Sequence, residues 1–341
     1  MQEGPNFDRE LVLRQQGYCL LAGVDEVGRG AWAGPVVACA AILPLNSPRL
    51  KEVLLGLRDS KHLTPSRRQQ YYELIGSLAV GVGLGLVSSA GIDRLGIAPA
   101  TRLAMRRAVD ALSMGPEYLL VDGFPLNHRG LPHEAIVGGD VKCASIAAAS
   151  VMAKVVRDGL MTTLDAVYPG YGFGHHKGYG TKKHQEALSS KGPCPIHRLS
   201  YSPVRDALHH EPPTVVQRSS GGSSMAVGRL GEQLTAEHLE RNGFVICETN
   251  YRCTGGEVDI VGLDGQCLVF VEVRTRRSGT YGTPEESITA AKKQKLVEVA
   301  QTFLQEHGSP EIDWRIDVAS VRLSADDKLQ DLSLIENAIE S

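Results

Sequence analysis

The stretch EPPTVVQRSSGGSS at residues 211–224 constrains this chain most, because neither a helix nor a strand can run through it. Paired prolines remove backbone donors, and the Ser/Gly run carries too little apolar surface to join a core, so the stretch reads as a flexible linker. The 341 residues are therefore expected to form two domains, residues 1–210 and 225–341, each long enough for its own core. Charge divides at the same place. Residues 1–210 carry 23 Lys and Arg against 18 Asp and Glu, a balance of +5; residues 225–341 carry 12 against 20, a balance of −8. The basic half suits a polyanionic partner. No apolar run approaches ~18 residues, so no transmembrane helix and no membrane partner are expected. The opening MQEGPNFDRE is polar and acidic, unlike a secretory signal, and seven cysteines without framework spacing read as reduced thiols. A cytoplasmic location is the expectation.

Within residues 1–210, short apolar runs alternate with helical patterns, which predicts an α/β domain. Residues 20–24 read as a buried strand, followed by an acid-glycine turn and a second strand over PVVACAAIL. Thr64 before Pro65 marks the start of a helix through SRRQQYYELIGSL. Strands are expected near residues 79–88, 117–121 and 135–137, with helices over 98–112 and 144–168. Three of the strands end in carboxylates: Asp25 with Glu26, then Asp122, then Asp140. Ligands of α/β sheets gather at the carboxyl ends of strands, so these acids are candidates to converge. Four carboxylates in one cleft repel unless cations sit between them, and hard oxygen donors suit Mn²⁺ or Mg²⁺. Two such ions about 4 Å apart would orient a phosphodiester and activate a water. The alternative is that each acid caps a turn before glycine. One tension is geometric: neighbours in a strand point to opposite faces, so Asp25 and Glu26 share a site only at a frayed or bulged strand end.

The segments GVDEVGRGAWAGPVV, DSKHLTP, LLVDG, GGDVKCASIAAASVMAKVVRD, YPGYGFGHHKGYGTKKH and GPCPIHRLSYSPV resemble, in order, the motifs of ribonuclease HII. The resemblance covers roughly residues 18–208 and implies a ribonuclease H-like fold. It implies an endoribonuclease that cleaves the RNA strand of RNA–DNA hybrids. It also implies nicking 5′ of single ribonucleotides embedded in duplex DNA, leaving 3′-hydroxyl and 5′-phosphate ends with Mn²⁺ or Mg²⁺. By that resemblance Asp25, Glu26, Asp122 and Asp140 are the metal-binding and catalytic acids. Gly28, Arg29 and Gly30 form the loop that senses the 2′-hydroxyl, the group that distinguishes RNA from DNA. Tyr179 stacks on the sugar after the ribonucleotide, while Lys61, Lys142 and Lys177 are candidate phosphate contacts.

Two other features are structural on balance. Ala144, Ala147 and Ala148 form a small-residue face for close packing, and Lys154, Arg157 and Asp158 have the spacing to pair along the helix's exposed side. His175, His176, His184, Cys194 and His197 suggest zinc by residue type, but only Cys194 and His197 have short paired spacing. A basic loop that contacts phosphate is the preferred expectation.

Residues 225–341 predict a second, smaller α/β domain: an amphipathic helix, four strand-like runs and a long helix over 286–308. Glu232 lies on the first helix, Asp259 begins one strand, and Glu272-x-Arg274 ends the next. That spacing resembles the PD-(D/E)xK restriction-endonuclease-like core, and GRLGEQLTAEHLERNGF, NYRCTGGEVDIV and LVFVEVRTR are similar to the YraN-type family over most of 226–340. The resemblance implies a second site of Glu232, Asp259, Glu272 and Arg274. That family usually has lysine where this chain has Arg274, which stays protonated and cannot relay a proton, so a nuclease, a binding role and neither all stay open, and the balance of −8 argues for a weak grip on DNA or for a protein partner. Arg274, Arg276 and Arg277 could grip a phosphate backbone. The competing functional expectation is a binding module in which the second domain recruits the first to repair intermediates; its protein partners are not legible.

Overall fold

The computed structural model describes residues 4–58, 60–208, 223–265, 267–277, 289–306, 313–324 and 326–339. The chain forms two compact units. One comprises Met1–Met161 with Lys177–Tyr179 and Arg198–Ser200; the other comprises Thr162–His176, Gly180–His197 and Tyr201–Ser341. Of the predicted linker, residues 211–222 lie outside the described residues, as do residues 286–288 and 307–308 of the predicted long helix; Ser223 and Ser224, expected in the linker, are instead helical.

The first unit opens with α1 (Asp8–Gln15), a helix not anticipated from the sequence. β1 (Leu21–Val27) and β2 (Val36–Ile42) follow, then α2 (Leu50–Val53), α3 (Pro65–Leu78), β3 (Gly81–Val87), α4 (Ser89–Leu95) and α5 (Ile97–Asp110). β4 (Tyr118–Asp122), β5 (His133–Ile136) and α6 (Ala144–Val167) complete the pattern, α6 running on into the second unit. As predicted, Thr64 caps α3: its hydroxyl accepts the Arg67 N–H at 3.3 Å, and Pro65 occupies the first turn.

The five strands lie in the order β3-β2-β1-β4-β5. β1, β2 and β3 pair antiparallel, whereas β1–β4 and β4–β5 pair parallel. Glycines set how closely helices approach. A Cβ on Gly83 or Gly85 would meet the α5 carbonyls of Ala108 and Ala104 at 2.1 and 2.2 Å, and one on Gly23 would lie 2.1 Å from the Ser145 carbonyl carbon at the start of α6. The α6 terminus is pinned from the other side by buried Glu10 of α1, whose Oε1 accepts from the Ser145 amide and hydroxyl at 2.9 and 2.8 Å. Leu13, Leu21, Leu120, Cys143 and Ile146 cluster around this junction. The alanine face of α6 is buried as predicted.

The second unit contains α7 (Phe173–His176), α8 (Lys182–Lys191), α9 (Ser202–Ala207) and α10 (Ser223–Arg241). β6 (Val245–Cys253), β7 (Gly256–Asp264), β8 (Cys267–Arg277), α11 (Ala290–Glu306), β9 (Trp314–Leu323) and β10 (Leu329–Ile339) follow. The sheet order is β10-β9-β8-β7-β6, with only β8 and β9 parallel. Leu239, Phe244, Ile260, Val269, Val271 and Ala319 form one cluster of its core. The sequence pattern predicted four strands; β10 was missed because LQDLSLIENAI alternates weakly and its residues are mostly exposed or half-buried. All seven cysteines are free thiols, and among the described residues no helix is long and apolar enough to cross a membrane.

The histidine-rich stretch is built as a buried stack. The rings of His176 and His184 lie 4.4 Å apart, and His184 Nε2 is 3.1 Å from His197 Nε2. His197 Nδ1 accepts the Cys194 backbone N–H at 2.9 Å, which puts the His197 proton on Nε2 and makes it the donor to His184. Burial, followed by His184, lowers His197 to about 3, although the Cys194 carbonyl, 3.2 Å from Nδ1, opposes the shift.

Two expectations follow. Gly23→Ala forces apart β1 and the start of α6, and chemical unfolding should show a loss of about 3 kcal/mol or failure to fold. For His197, the unfolded chain takes up a proton below its ordinary value while the folded one does not until about 3. This stability is present above pH ~6.5 and is lost as pH falls below it. His197→Gln should therefore show a smaller drop in Tm than the parent chain on moving from about pH 7 to about pH 5.

Candidate catalytic and metal site

β1 does not stop at Val24; it continues to Val27, and Asp25 and Glu26 pair in regular register with Cys39 and Ala38 of β2. On its other edge, pairing with β4 ends at Val24–Val121. Asp25 and Asp122 therefore stand one step past the last paired residues of two parallel neighbours. Alternation still sends Asp25 and Glu26 to opposite faces, so the predicted tension is resolved by fraying on the β4 side alone, without a bulge. Carboxylate oxygens of Asp25, Glu26 and Asp122 all lie within 4.8 Å of one another, and among the described residues no other three acids, histidines or cysteines gather so closely.

Local bonds orient each acid. Asp25 Oδ1 accepts the Glu26 amide at 2.7 Å, and Asp122 Oδ1 accepts the Gly139 amide at 2.6 Å. Glu26 Oε1 receives Arg29 Nη1 at 3.2 Å, and the Arg29 guanidinium lies 5.4 Å from the Phe124 ring centroid. Glu26 Oε2 is buried with no hydrogen-bond partner. Burial, then the neighbouring Glu26 and Asp122, pushes the Asp25 carboxyl well above its usual range; burial also raises Glu26, though Arg29 opposes it. Three crowded carboxylates with an orphaned buried oxygen fit a hard divalent cation.

Asp140 is not one of the three whose oxygens lie within 4.8 Å of one another. It lies in the turn Gly139–Val141, 8% exposed, with Oδ2 4.0 Å from Lys61 Nζ. It is adjacent in sequence to Gly139, the residue that holds Asp122. Lys142 is exposed and donates to the Val137 carbonyl at 2.7 Å.

The remaining specificity candidates meet at the loop after β1. Gly28 has φ +93°, and exposed Arg29 and Gly30 follow it. Ala31 forms a β-bridge with Tyr179, and the Gly178 carbonyl accepts the Trp32 amide at 2.8 Å. Lys177, at φ +53°, is one of few non-glycine residues in the left-handed region. The Tyr179 ring has Arg157 Cζ 5.4 Å and Lys154 Nζ 5.9 Å from its centroid.

One expectation fails here. Arg157 does not line the exposed side of α6: it is fully buried, while Lys154 and Asp158 pair at 2.7 Å without it. Arg157 donates instead to the carbonyls of Ala33, Pro35 and Lys177, and buried Arg198 donates to those of Gly28, Arg29 and Gly34. Charge in a sequence does not announce such burial; the nearby GRGAWAGP run, rich in carbonyls with few side chains to shield them, was the available signal.

In the second unit, Glu232 Oε2 accepts from Asn250 Nδ2 at 3.1 Å. Asp259 Oδ2 accepts the Val273 amide at 2.7 Å, and burial followed by Glu272 raises Asp259 to about 7. Buried Glu272 binds Arg274 Nη2 at 3.2 Å and Lys292 Nζ of α11 at 3.1 Å through one oxygen, Oε1. Lys292 thus reaches the acid from a helix, a contact that spacing along the strand does not reveal. Glu272 and Arg274 lie within β8 rather than at its end. A cleft of about 490 Å³ is lined by Val227, Gly228, Glu232, Val273, Arg274, Thr275 and Arg277.

Comparison with known proteins divides the sequence between two families. Residues 22–204 match the family Ribonuclease HII, and residues 231–321 match Uncharacterised protein family UPF0102. Ribonuclease HII of Dehalococcoides mccartyi is 51% identical over 202 residues, covering 59% of this chain and 94% of the relative. That of Chloroflexus aurantiacus is 48% identical over 204 residues, covering 60% and 96%. Ribonuclease H2 from Pyrococcus horikoshii OT3 superimposes at a TM-score of 0.48 with 25% identity, over 55% of this chain and 97% of that one. With a single family spanning more than half of its residues, and relatives matched over nearly their whole length, the chain belongs to the ribonuclease HII family and is a metal-dependent endoribonuclease.

Proposed function

We propose that residues 1–210 form the catalytic domain and that Asp25, Glu26, Asp122 and Asp140 are its catalytic, metal-binding acids, with Mn²⁺ or Mg²⁺ as cofactor. The substrate is RNA paired with DNA, including single ribonucleotides embedded in a DNA duplex, cut on their 5′ side. The observation that carries this reading is the convergence of Asp25, Glu26 and Asp122 at a frayed strand end, with Glu26 Oε2 left unpartnered. Divalent ions bound there supply charge neutralisation at the attacking and leaving oxygens of an in-line hydrolysis. The chain's own residues do the rest. Asp25 and Asp122 are pre-oriented by backbone amides, so they need not reorganise on binding. Gly28, Arg29 and Gly30 present backbone to the ribose, Tyr179 stacks on the adjoining sugar, and Lys61, Lys142 and Lys177 contact phosphates. Water adds across the O3′–P bond, giving a 3′-hydroxyl upstream and a 5′-phosphate on the ribonucleotide.

A second reading concerns residues 225–341, which we propose as a separate module joined through residues 211–224. Glu272 Oε1 already meets Arg274 and Lys292, though Oε2 has no partner, and among the described residues Glu232, Asp259 and Glu272 are not drawn into one tight group. That favours nucleic-acid binding at the Arg274–Arg277 cleft, recruiting the first domain to repair intermediates, over a second hydrolytic centre. A cytoplasmic setting is consistent with both readings.

Asp122→Asn keeps an oxygen to accept the Gly139 amide, so the fold should persist while nicking of a duplex carrying one ribonucleotide falls to background with either metal. A nick at an undiminished rate would overturn the assignment. On the same Asp122→Asn background, Arg274→Ala should weaken duplex binding and reduce its salt-dependence slope by about 1. An unchanged slope in a filter-binding or anisotropy titration removes the binding reading.

A further inference from the structure

Two buried guanidiniums converge behind the loop that follows β1. Arg198, fully buried, donates to the Gly28 carbonyl at 2.7 Å, to Arg29 at 2.8 Å and to Gly34 at 2.8 and 3.0 Å. Arg157, also fully buried, donates to Pro35 at 2.9 Å, Ala33 at 3.2 Å and Lys177 at 2.9 Å. One side chain thus ties residues 33–35 to residue 177, two places before Tyr179. Gly28 is shaped to this arrangement, since a Cβ there would lie 2.1 Å from Arg157 Nε. Lys177 is held in the left-handed region at the same contact.

As fasteners alone these side chains are a poor choice. Two buried cations side by side repel and lose hydration, and apolar packing of similar volume is often as stable. A guanidinium does something a leucine cannot, because its planar fork dictates which way carbonyls point. In a trans peptide the C=O and the following N–H point in opposite directions, and the chain has no cis peptides among its described residues. Drawing the Gly28 and Arg29 carbonyls inward to Arg198 therefore turns the Arg29 and Gly30 amides away from it.

We infer that Arg198 and Arg157 are positioning residues for ribonucleotide selection: Arg198 aims the Arg29 and Gly30 amides at the ribose, and Arg157 locks Tyr179 in register with them. This rests on the reading above, in which that loop and Tyr179 choose the site of cleavage. Neither arginine touches substrate. Their contribution is to hold two selecting elements, far apart in sequence, at one spacing.

Lysine keeps the charge at either position but cannot fork onto three carbonyls. The test compares full-length Arg198→Lys and Arg157→Lys with the parent chain, after thermal unfolding verifies that they are folded. Steady-state kinetics are measured on a DNA duplex with one ribonucleotide and on a continuous RNA–DNA hybrid. The hybrid offers a 2′-hydroxyl at every step, whereas the single ribonucleotide must be met in one geometry. On the single-ribonucleotide duplex kcat/KM should fall about 10- to 100-fold further than on the hybrid. Equal losses on both substrates, or a lowered Tm with the ratio unchanged, make the arginines merely structural and overturn the inference. Tyr179→Ala runs alongside. If it shifts the ratio and neither arginine variant does, the inference alone fails; if it leaves the ratio unchanged, the reading beneath it fails as well. Should one arginine variant not fold, the other decides.

Discussion

Electrostatic repulsion among Asp25, Glu26 and Asp122 is the constraint to which the first unit answers. One buried and two half-buried carboxylates crowd there, and burial followed by its neighbours pushes Asp25 upward. The surroundings reduce that cost in separate ways. Backbone amides of Glu26 and Gly139 take one oxygen each from Asp25 and Asp122, and Arg29 takes one from Glu26. Glu26 Oε2 stays without a partner, which supports the cation site proposed above. Close packing supports the arrangement from behind, because Gly23 lets the start of α6 lie against β1 while Glu10 holds that helix terminus.

Much of this was legible in the sequence. Apolar runs ending in acids mark the carboxyl ends of strands, and a Thr-Pro pair marks the start of α3, because both signals are local. Less legible was how Asp25 and Glu26 share a site, since alternation along one strand argues against it. The answer depends on where a different strand, β4, stops pairing, and no window around residue 25 contains that information. Arg157 was misplaced for a related reason. Its spacing from Lys154 and Asp158 suits an exposed helical face, but the carbonyls that solvate it come from residues 33, 35 and 177. β10 escaped because its outer, weakly alternating sequence lacks the apolar density that identifies its neighbours.

The two units differ in how many cations meet their acids. In the first, three carboxylates gather around a single ion pair, Glu26 with Arg29. In the second, Glu272 Oε1 meets Arg274 from its own strand and Lys292 from a helix, while Oε2, like Glu26 Oε2, has no partner. Arginine at position 274 suits that second arrangement, being permanently charged and able to hold a carboxylate or a phosphate without exchanging a proton.

The bonds from Arg198 to Gly28 and Arg29 join residues 170 and 169 positions apart. During synthesis, the strand carrying Asp25 and Glu26 leaves the ribosome long before the side chain that anchors the adjoining loop. A nascent chain can assemble its sheet early, yet the loop after β1 lacks its anchor until nearly two hundred residues have emerged. On the proposed reading, shorter polypeptides carry all four acids without the guanidinium that sets the selecting loop.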